Sequence, residues 1–275
     1  MKTIRHPDLH RLRKYMRRAK SVEVCTVGSA RLINAFTLCH RRVLLYQSRV
    51  TRRLTANVHC PRKMRRNRFN KYYCKIVLTG GPCAGKTTLL SQLADRLKKE
   101  YGDEWQVFTV SEASTLLYSG GVARHMLSLD QLAVWQRDML LTIFRLEEVF
   151  ENIAMNETKK HTIILCDRGG MDPKVFTKSD QQWQCIIDSL GISEEVIFDR
   201  YDLILRLHTA LKPFYEQMTN IARREDYIEA QDVNAKYDMV WHEHPLFRSI
   251  PSELELKEKF EHALSEIEEL LKNAV

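Results

Sequence analysis

Cys74-Lys-Ile-Val-Leu-Thr79-Gly80-Gly81-Pro82-Cys83-Ala84-Gly85-Lys86-Thr87-Thr88 is the stretch that decides the fold. Its first half is a short apolar run ending in glycine, as a buried parallel strand does. Its second half satisfies G-x-x-x-x-G-K-[ST] from Gly80 to Thr87, and Leu89, Leu90, Leu93 and Leu97 then recur at helical spacing. The glycine-rich segment therefore stands between a strand and a helix, where a phosphate-binding loop belongs. Gly80 and Gly85 let the backbone take turns closed to a Cβ, so successive N–H groups can point at phosphate oxygens. A helix starting at Lys86 adds its terminal amides and dipole to the same anion. Lys86 places a point charge on the β- and γ-phosphates, and the Thr87 hydroxyl is positioned to ligate Mg²⁺. The expected phosphate set is Gly80, Gly81, Pro82, Cys83, Ala84, Gly85, Lys86, Thr87 and Thr88, with Mg²⁺ and GTP or ATP as cofactors. A chance glycine-rich turn is the alternative, and the flanking strand and helix argue against it.

Working outward, Trp105 to Val110 reads as a second strand. Leu132, Trp135, Met139, Ile143, Leu146, Phe150 and Ile153 put an apolar stripe on a long helix. Thr162-Ile-Ile-Leu-Cys166 is the most strand-like segment of the chain, and Leu203 to Leu207 supplies another. After Pro251, a last helix carries Phe260, Leu264, Ile267 and Leu271 on one face. Strands alternating with helices predict an α/β protein. The expected architecture is a kinase-like P-loop NTPase of three α/β/α layers with a mainly parallel sheet.

Four further candidates follow from placement. Asp167 comes directly after the Thr162 strand, at the edge where doubly wound sheets bind ligands. A carboxylate there holds the Mg²⁺ shell or accepts a proton from a substrate hydroxyl; capping the Gly169-Gly170 turn is the weaker reading. Glu112 follows the Val107–Val110 strand to the same edge, as a general base or metal-shell ligand. Ser111-Glu112-Ala113-Ser114 also reads as a helix start, so a capping role stands beside the catalytic one. Arg223, in the polar stretch Asn220 to Asp226, suits the charge of a transferring γ-phosphate and can act as a lid residue, ahead of Arg224. Its bland alternative is a solvated helix face with weak Arg–Glu pairs. The catalytic set is thus Lys86, Glu112, Asp167 and Arg223, and the metal set Thr87 and Asp167. His242-Glu-His244 lacks a third ligand and the two histidines share no helical face, so a structural or base-contacting role is expected there. Cys83 is expected to be small filler rather than an oxidisable thiolate.

Charge divides the chain near residue 72. Residues 1–72 hold 20 Lys and Arg against Asp8 and Glu23, a net of +18, and the remaining 203 residues carry a net of −10. Seven scattered cysteines with no CxxC pair argue for a reducing compartment. No run approaches the apolar length of a membrane span, and basic residues interrupt every candidate signal segment. Two units are expected: a basic, largely disordered leader over 1–72 and one P-loop domain over 73–275. In the leader, Leu9, Leu12, Met16 and Ala19 can share a helix face opposite Arg11, Lys14, Arg17 and Arg18. That pattern fits a mitochondrial transit peptide or a membrane-surface helix equally well, against a functionless extension. The expected location is cytoplasmic, or mitochondrial if the leader is a transit peptide. Aromatics are sparse and no nucleic acid is expected as a partner.

Gly80 to Thr88 together with Ser111-Glu-Ala-Ser-Thr115, Gly120-Gly121, Cys166-Asp-Arg-Gly169 and Thr219-Asn-Ile-Ala-Arg223 resembles the NadR-like AAA domain. That domain is shared by nicotinamide-riboside kinases and the animal TRPL translocation-defect proteins, and the animal branch is the closer match, over about residues 72–262. The resemblance implies a P-loop core binding GTP or ATP with Mg²⁺. In the animal branch it also implies acidic-phospholipid binding, a membrane-protein partner and a role in trafficking. It carries the phosphate role to Gly85, Lys86 and Thr87, the metal or base role to Asp167, and a lid role to Arg223. The animal proteins continue into a C-terminal tunnel-like domain, which this chain is expected to be without. Where their pattern has Asp-Asn after a short strand, this chain has Pro251-Ser252. Two functions are therefore expected: a nucleotide-gated regulator, which the resemblance favours, or a kinase phosphorylating a nucleoside-like hydroxyl.

Overall fold

The computed structural model describes residues 64–122, 124–210, 212 and 227–272. In chain order the elements are β1 (Arg65–Arg66), β2 (Tyr72–Gly80), α1 (Lys86–Tyr101), β3 (Trp105–Val110), α2 (Ala113–Ser119) and α3 (Leu129–Met155). There follow β4 (His161–Asp167), α4 (Asp180–Leu190), α5 (Glu194–Phe198), β5 (Leu203–Leu207), α6 (Tyr227–Trp241), β6 (Phe247–Ile250) and α7 (Leu256–Lys272). Short 3-10 turns lie at Arg124–Met126 and Asp172–Phe176. The sheet order is β3-β4-β2-β5-β6, every neighbouring pair in it parallel, so the phosphate-loop strand β2 is central. This is the expected α/β P-loop NTPase architecture.

Alternating strand residues serve two cores. Ile76, Leu78, Ile163, Leu165, Leu203 and Leu205 pack under α1 and α7, while Val77, Ile164, Cys166 and Ile204 face α3, α4 and α6. The long α3 starts cleanly because Ser128 and Gln131 form a reciprocal capping box. α4 begins at Ser179, whose hydroxyl accepts from the Gln182 amide, and ends at left-handed Gly191.

One charge sits in the middle of this apolar sheet. Lys75, fully buried in β2, pairs with Glu147 at 2.7 Å and Glu151 at 2.6 Å on α3. Glu147 also accepts from Arg200 and from the Tyr201 hydroxyl. Arg65 joins this group by bonding Asp202 at 2.6 Å and lying 3.6 Å from Glu151. A buried lysine is tolerated here because each charge has an opposite partner.

The same contacts move the domain boundary. Residues 64–72, expected in the leader, belong to the folded sheet. β1 pairs antiparallel with the start of β2, and buried Asn67 donates to the carbonyls of Ala154 and Glu157. Ionic and side-chain amide contacts hold this segment, which is why hydrophobic patterning did not signal it. Residues 1–63, with the amphipathic stripe of the leader, lie outside the described residues.

Candidate nucleotide site

Three left-handed residues shape the loop after β2: Gly80 (φ 134°), Cys83 (φ 54°) and Gly85 (φ 83°). At Gly80 only glycine fits, because a Cβ there would lie 1.9 Å from the Leu207 carbonyl oxygen. Gly85 turns the chain into α1. Cys83 is buried and packs with Ala230 and Tyr227 of α6, in keeping with the filler reading. Lys86 is 8% exposed, and its Nζ donates to the Gly81 carbonyl at 2.8 Å. Burial, and then the nearby Arg168, lower its pKa to about 8, against the opposing pull of Asp167, Glu112 and Asp172. Thr87 and Thr88 are open to solvent at the start of α1.

The parallel register of β2 and β4 sets Asp167 opposite Leu78, at the strand end beside the loop. There the Thr87 hydroxyl donates to Asp167 Oδ2 at 2.8 Å. The other carboxylate oxygen, Oδ1, is buried with no hydrogen-bond partner among the described residues. An anionic oxygen left over beside a threonine hydroxyl is a hard, oxygen-only donor set, and it fits Mg²⁺.

Arg168 joins this site to the next strand. Its backbone is left-handed (φ 75°), and its guanidinium reaches Glu112 and the Tyr237 hydroxyl, with longer contacts to the Gly80 carbonyl at 3.3 Å and Asp172 at 3.4 Å. Asp172, 2% exposed, is anchored in turn by Thr79 and the Trp241 indole N–H, both at 2.8 Å, and burial raises its pKa. Glu112 sits just beyond β3 and accepts from Thr115 at 2.7 Å. Burial works to raise its carboxyl, but Arg168, Thr115 and Ser114 outweigh it and hold the pKa at about 2. Although Glu112 occupies the position before α2, its side chain caps no backbone amide. Its charge goes to Arg168 instead, so the capping reading does not hold.

The AAA domain family matches residues 75–251, more than half of the chain. The chain belongs to that family. Two thymidylate kinases from strains of Staphylococcus epidermidis are each 27% identical to this AAA domain over 126 residues, covering 46% of this chain and 56% of theirs. The chain thus spans about half the length of the curated relatives it matches. A crystal structure of NadR protein in complex with NAD and AMP-PNP matches 72% of this chain and 49% of its own, at 15% identity and a TM-score of 0.46.

As an AAA domain with an intact P-loop, the chain is a nucleotide-binding protein. Of the residues singled out in the sequence, Lys86, Thr87, Asp167 and Glu112 come together at one sheet edge. Arg223 lies outside the described residues. His244 is buried and structural: Nδ1 accepts from the Leu246 amide, and Nε2 meets the Tyr201 carbonyl at 3.1 Å. His242 is exposed on the helix end. Asp172 and Tyr237 escaped the sequence reading. The first carried a signal in its spacing after Asp167-Arg168-Gly169-Gly170, whereas Tyr237 lies 69 residues from its partner and carried none.

Proposed function

We propose that this AAA domain is a magnesium-dependent phosphotransferase that moves the terminal phosphoryl group of ATP or GTP to a hydroxyl of a nucleoside-like acceptor. The carrying observation is the division of labour between two carboxylates. Asp167 is committed to Thr87 at the metal position. Glu112, one strand further out, is held by Arg168 and Thr115. A nucleotide switch needs the first carboxylate; a second one, anchored beside the phosphates, suits the orientation of an acceptor. Mg²⁺ held by Thr87 and Asp167 would neutralise charge on the β- and γ-phosphates.

Lys86 and Arg168 then supply two positive groups on the loop side. With a pKa of about 2, Glu112 is a weak base, and it acts by accepting the hydrogen bond of the acceptor hydroxyl and fixing its line of attack. The acceptor oxygen bonds to the γ-phosphorus as the bond to the β–γ bridging oxygen breaks. The nucleoside diphosphate leaves, and the hydroxyl proton passes to Glu112 or water late in a loose transition state. The name of the thymidylate kinases supports phosphoryl transfer as the chemistry. Trafficking and acidic-phospholipid binding draw no support from the site or from the matched proteins.

The test is product formation by the full chain with ATP and GTP, each with and without a panel of nucleosides, in wild type, Lys86→Ala and Glu112→Gln. Acceptor-dependent diphosphate release, abolished by Lys86→Ala, is expected. Slow release that no acceptor stimulates would refute the phosphotransferase and leave the nucleotide-gated regulator.

A further inference from the structure

Beside the phosphate loop, just past the end of β5, stands a hydroxyl with nothing to bond. Thr209 is 1% exposed, and its Oγ1 is buried without a hydrogen-bond partner among the described residues. A buried hydroxyl in this state has surrendered its bonds to water for nothing, and folded proteins rarely keep one. The backbone of the residue is well held. Its amide donates to Asn234 Oδ1 at 2.9 Å, and Asn234 in turn gives its carbonyl to Arg206 at 2.8 Å. Only the side chain keeps unused bonding capacity.

Gly81 fixes what the hydroxyl faces. A Cβ on that glycine would lie 2.3 Å from Thr209 Oγ1 and 3.1 Å from Asn234 Oδ1, so the hydroxyl rests against the backbone of the second loop residue. The phosphate-loop pattern leaves this position open to any residue, and the approach of Thr209 closes it to all but glycine. Gly81 is buried, and its carbonyl accepts from Lys86 Nζ at 2.8 Å. Bound triphosphate claims that same ammonium for its β- and γ-oxygens. A buried carbonyl that loses its donor needs another.

We propose that Thr209 is a positioning residue of the phosphate loop: as triphosphate draws Lys86 off the Gly81 carbonyl, the Thr209 hydroxyl donates to that carbonyl in its place. The O–H rotates freely and the side chain turns about one torsion, so the exchange leaves the backbone that Asn234 holds where it is. The loop thus keeps its shape under the phosphates while its lysine changes partners. The inference needs the loop to bind a triphosphate and is indifferent to whether the phosphoryl group is then transferred.

The test is a double-mutant cycle on the full chain. Thermal unfolding is measured without nucleotide for wild type, Thr209→Val, Lys86→Met and the double variant. With Lys86 present, valine should leave the melting temperature unchanged or raise it, because it removes an unpaired hydroxyl. In Lys86→Met the Gly81 carbonyl already belongs to Thr209, and valine should lower the melting temperature by about 2–6 °C. A merely structural threonine costs the same in both backgrounds, and equal shifts would overturn the proposal. Crowding by the added methyl cancels in the difference, and Thr209→Ala repeats the cycle if a valine variant does not fold. Affinity for a non-hydrolysable ATP or GTP analogue with Mg²⁺ should fall about 10- to 100-fold in Thr209→Val and return to within about threefold of wild type in Thr209→Ser. Unchanged affinity in the valine variant would equally refute the exchange. If neither analogue binds the wild-type chain, the nucleotide site falls and the exchange with it, whereas equal melting shifts beside normal binding sink the role of Thr209 alone.

Discussion

Proton uptake on nucleotide binding offers a direct test of how Lys86 is held. In the loop as it stands, burial and Arg168 keep its ammonium near pKa 8. Triphosphate oxygens brought against Nζ favour the charged form and return the value toward the ordinary lysine range near 10.4. Binding between those limits must therefore take up a proton. At pH 8 the uptake should be about half a proton, and at pH 9 about 0.9. Affinity should be nearly flat below pH 7 and fall about fivefold from pH 8 to pH 9, the cost of charging the amine before it can bind. The sign for folding agrees. The native value lies below the unfolded one, so from about pH 8 upward the unfolded chain holds the extra proton, and the contribution of Lys86 to stability rises with pH across that window. Calorimetry at pH 7, 8 and 9 in two buffers of different ionisation enthalpy measures the uptake, and Lys86→Met should abolish it. A dissociation constant that does not change from pH 7 to 9, with identical heats in both buffers, would refute the reasoning and show Lys86 already charged in the empty loop.

Asp167→Asn should leave nucleotide binding in EDTA nearly unchanged while removing most of its enhancement by Mg²⁺, measured by titrating the metal at fixed nucleotide. Glu112→Ala, which removes the acceptor of the substrate hydroxyl's hydrogen bond, should keep nucleotide affinity and lower acceptor-dependent turnover by about 10²-fold; a loss under threefold would remove Glu112 from the chemistry. Lys75→Met strands part of the charge on Glu147 and Glu151 and should cost about 3 kcal/mol in urea unfolding. A chain beginning at residue 73 should melt several degrees below one beginning at residue 64, because it loses Arg65 and Asn67; equal melting temperatures would return the boundary to residue 72.

Most of the sheet was legible because its strands are apolar runs with glycine or acidic ends. Trp105–Val110 and Leu203–Leu207 appear with the expected limits, and the Thr162 strand is one residue longer at each end. The phosphate loop was legible because its chemistry is local, within eight consecutive residues. What escaped is held by partners far apart in the chain. Lys75 looks misplaced in a buried strand until Glu147 is beside it, 72 positions on. The partner that takes Glu112 away from a capping role, Arg168, lies 56 positions away. β1 is two residues long, and its anchor is an arginine rather than an apolar side chain.

α6 was invisible for a related reason. The side chains it turns inward are Ala230, Asn234, Tyr237, Val240 and Trp241, a face with little apolar contrast to its outside. Asn234 takes the Thr209 amide and gives its carbonyl to Arg206, Asp238 pairs with Arg206, Tyr237 meets Arg168, and Trp241 meets Asp172. Contacts of this kind are directional, and most have a buried partner that would be orphaned by a single change. Leucines under α1 can exchange for one another individually at modest cost. Arg206, Asn234 and Asp238 cannot, and among relatives of this chain they should be inherited, lost or replaced as a set, so that sequence drift along α6 proceeds by linked substitutions or not at all.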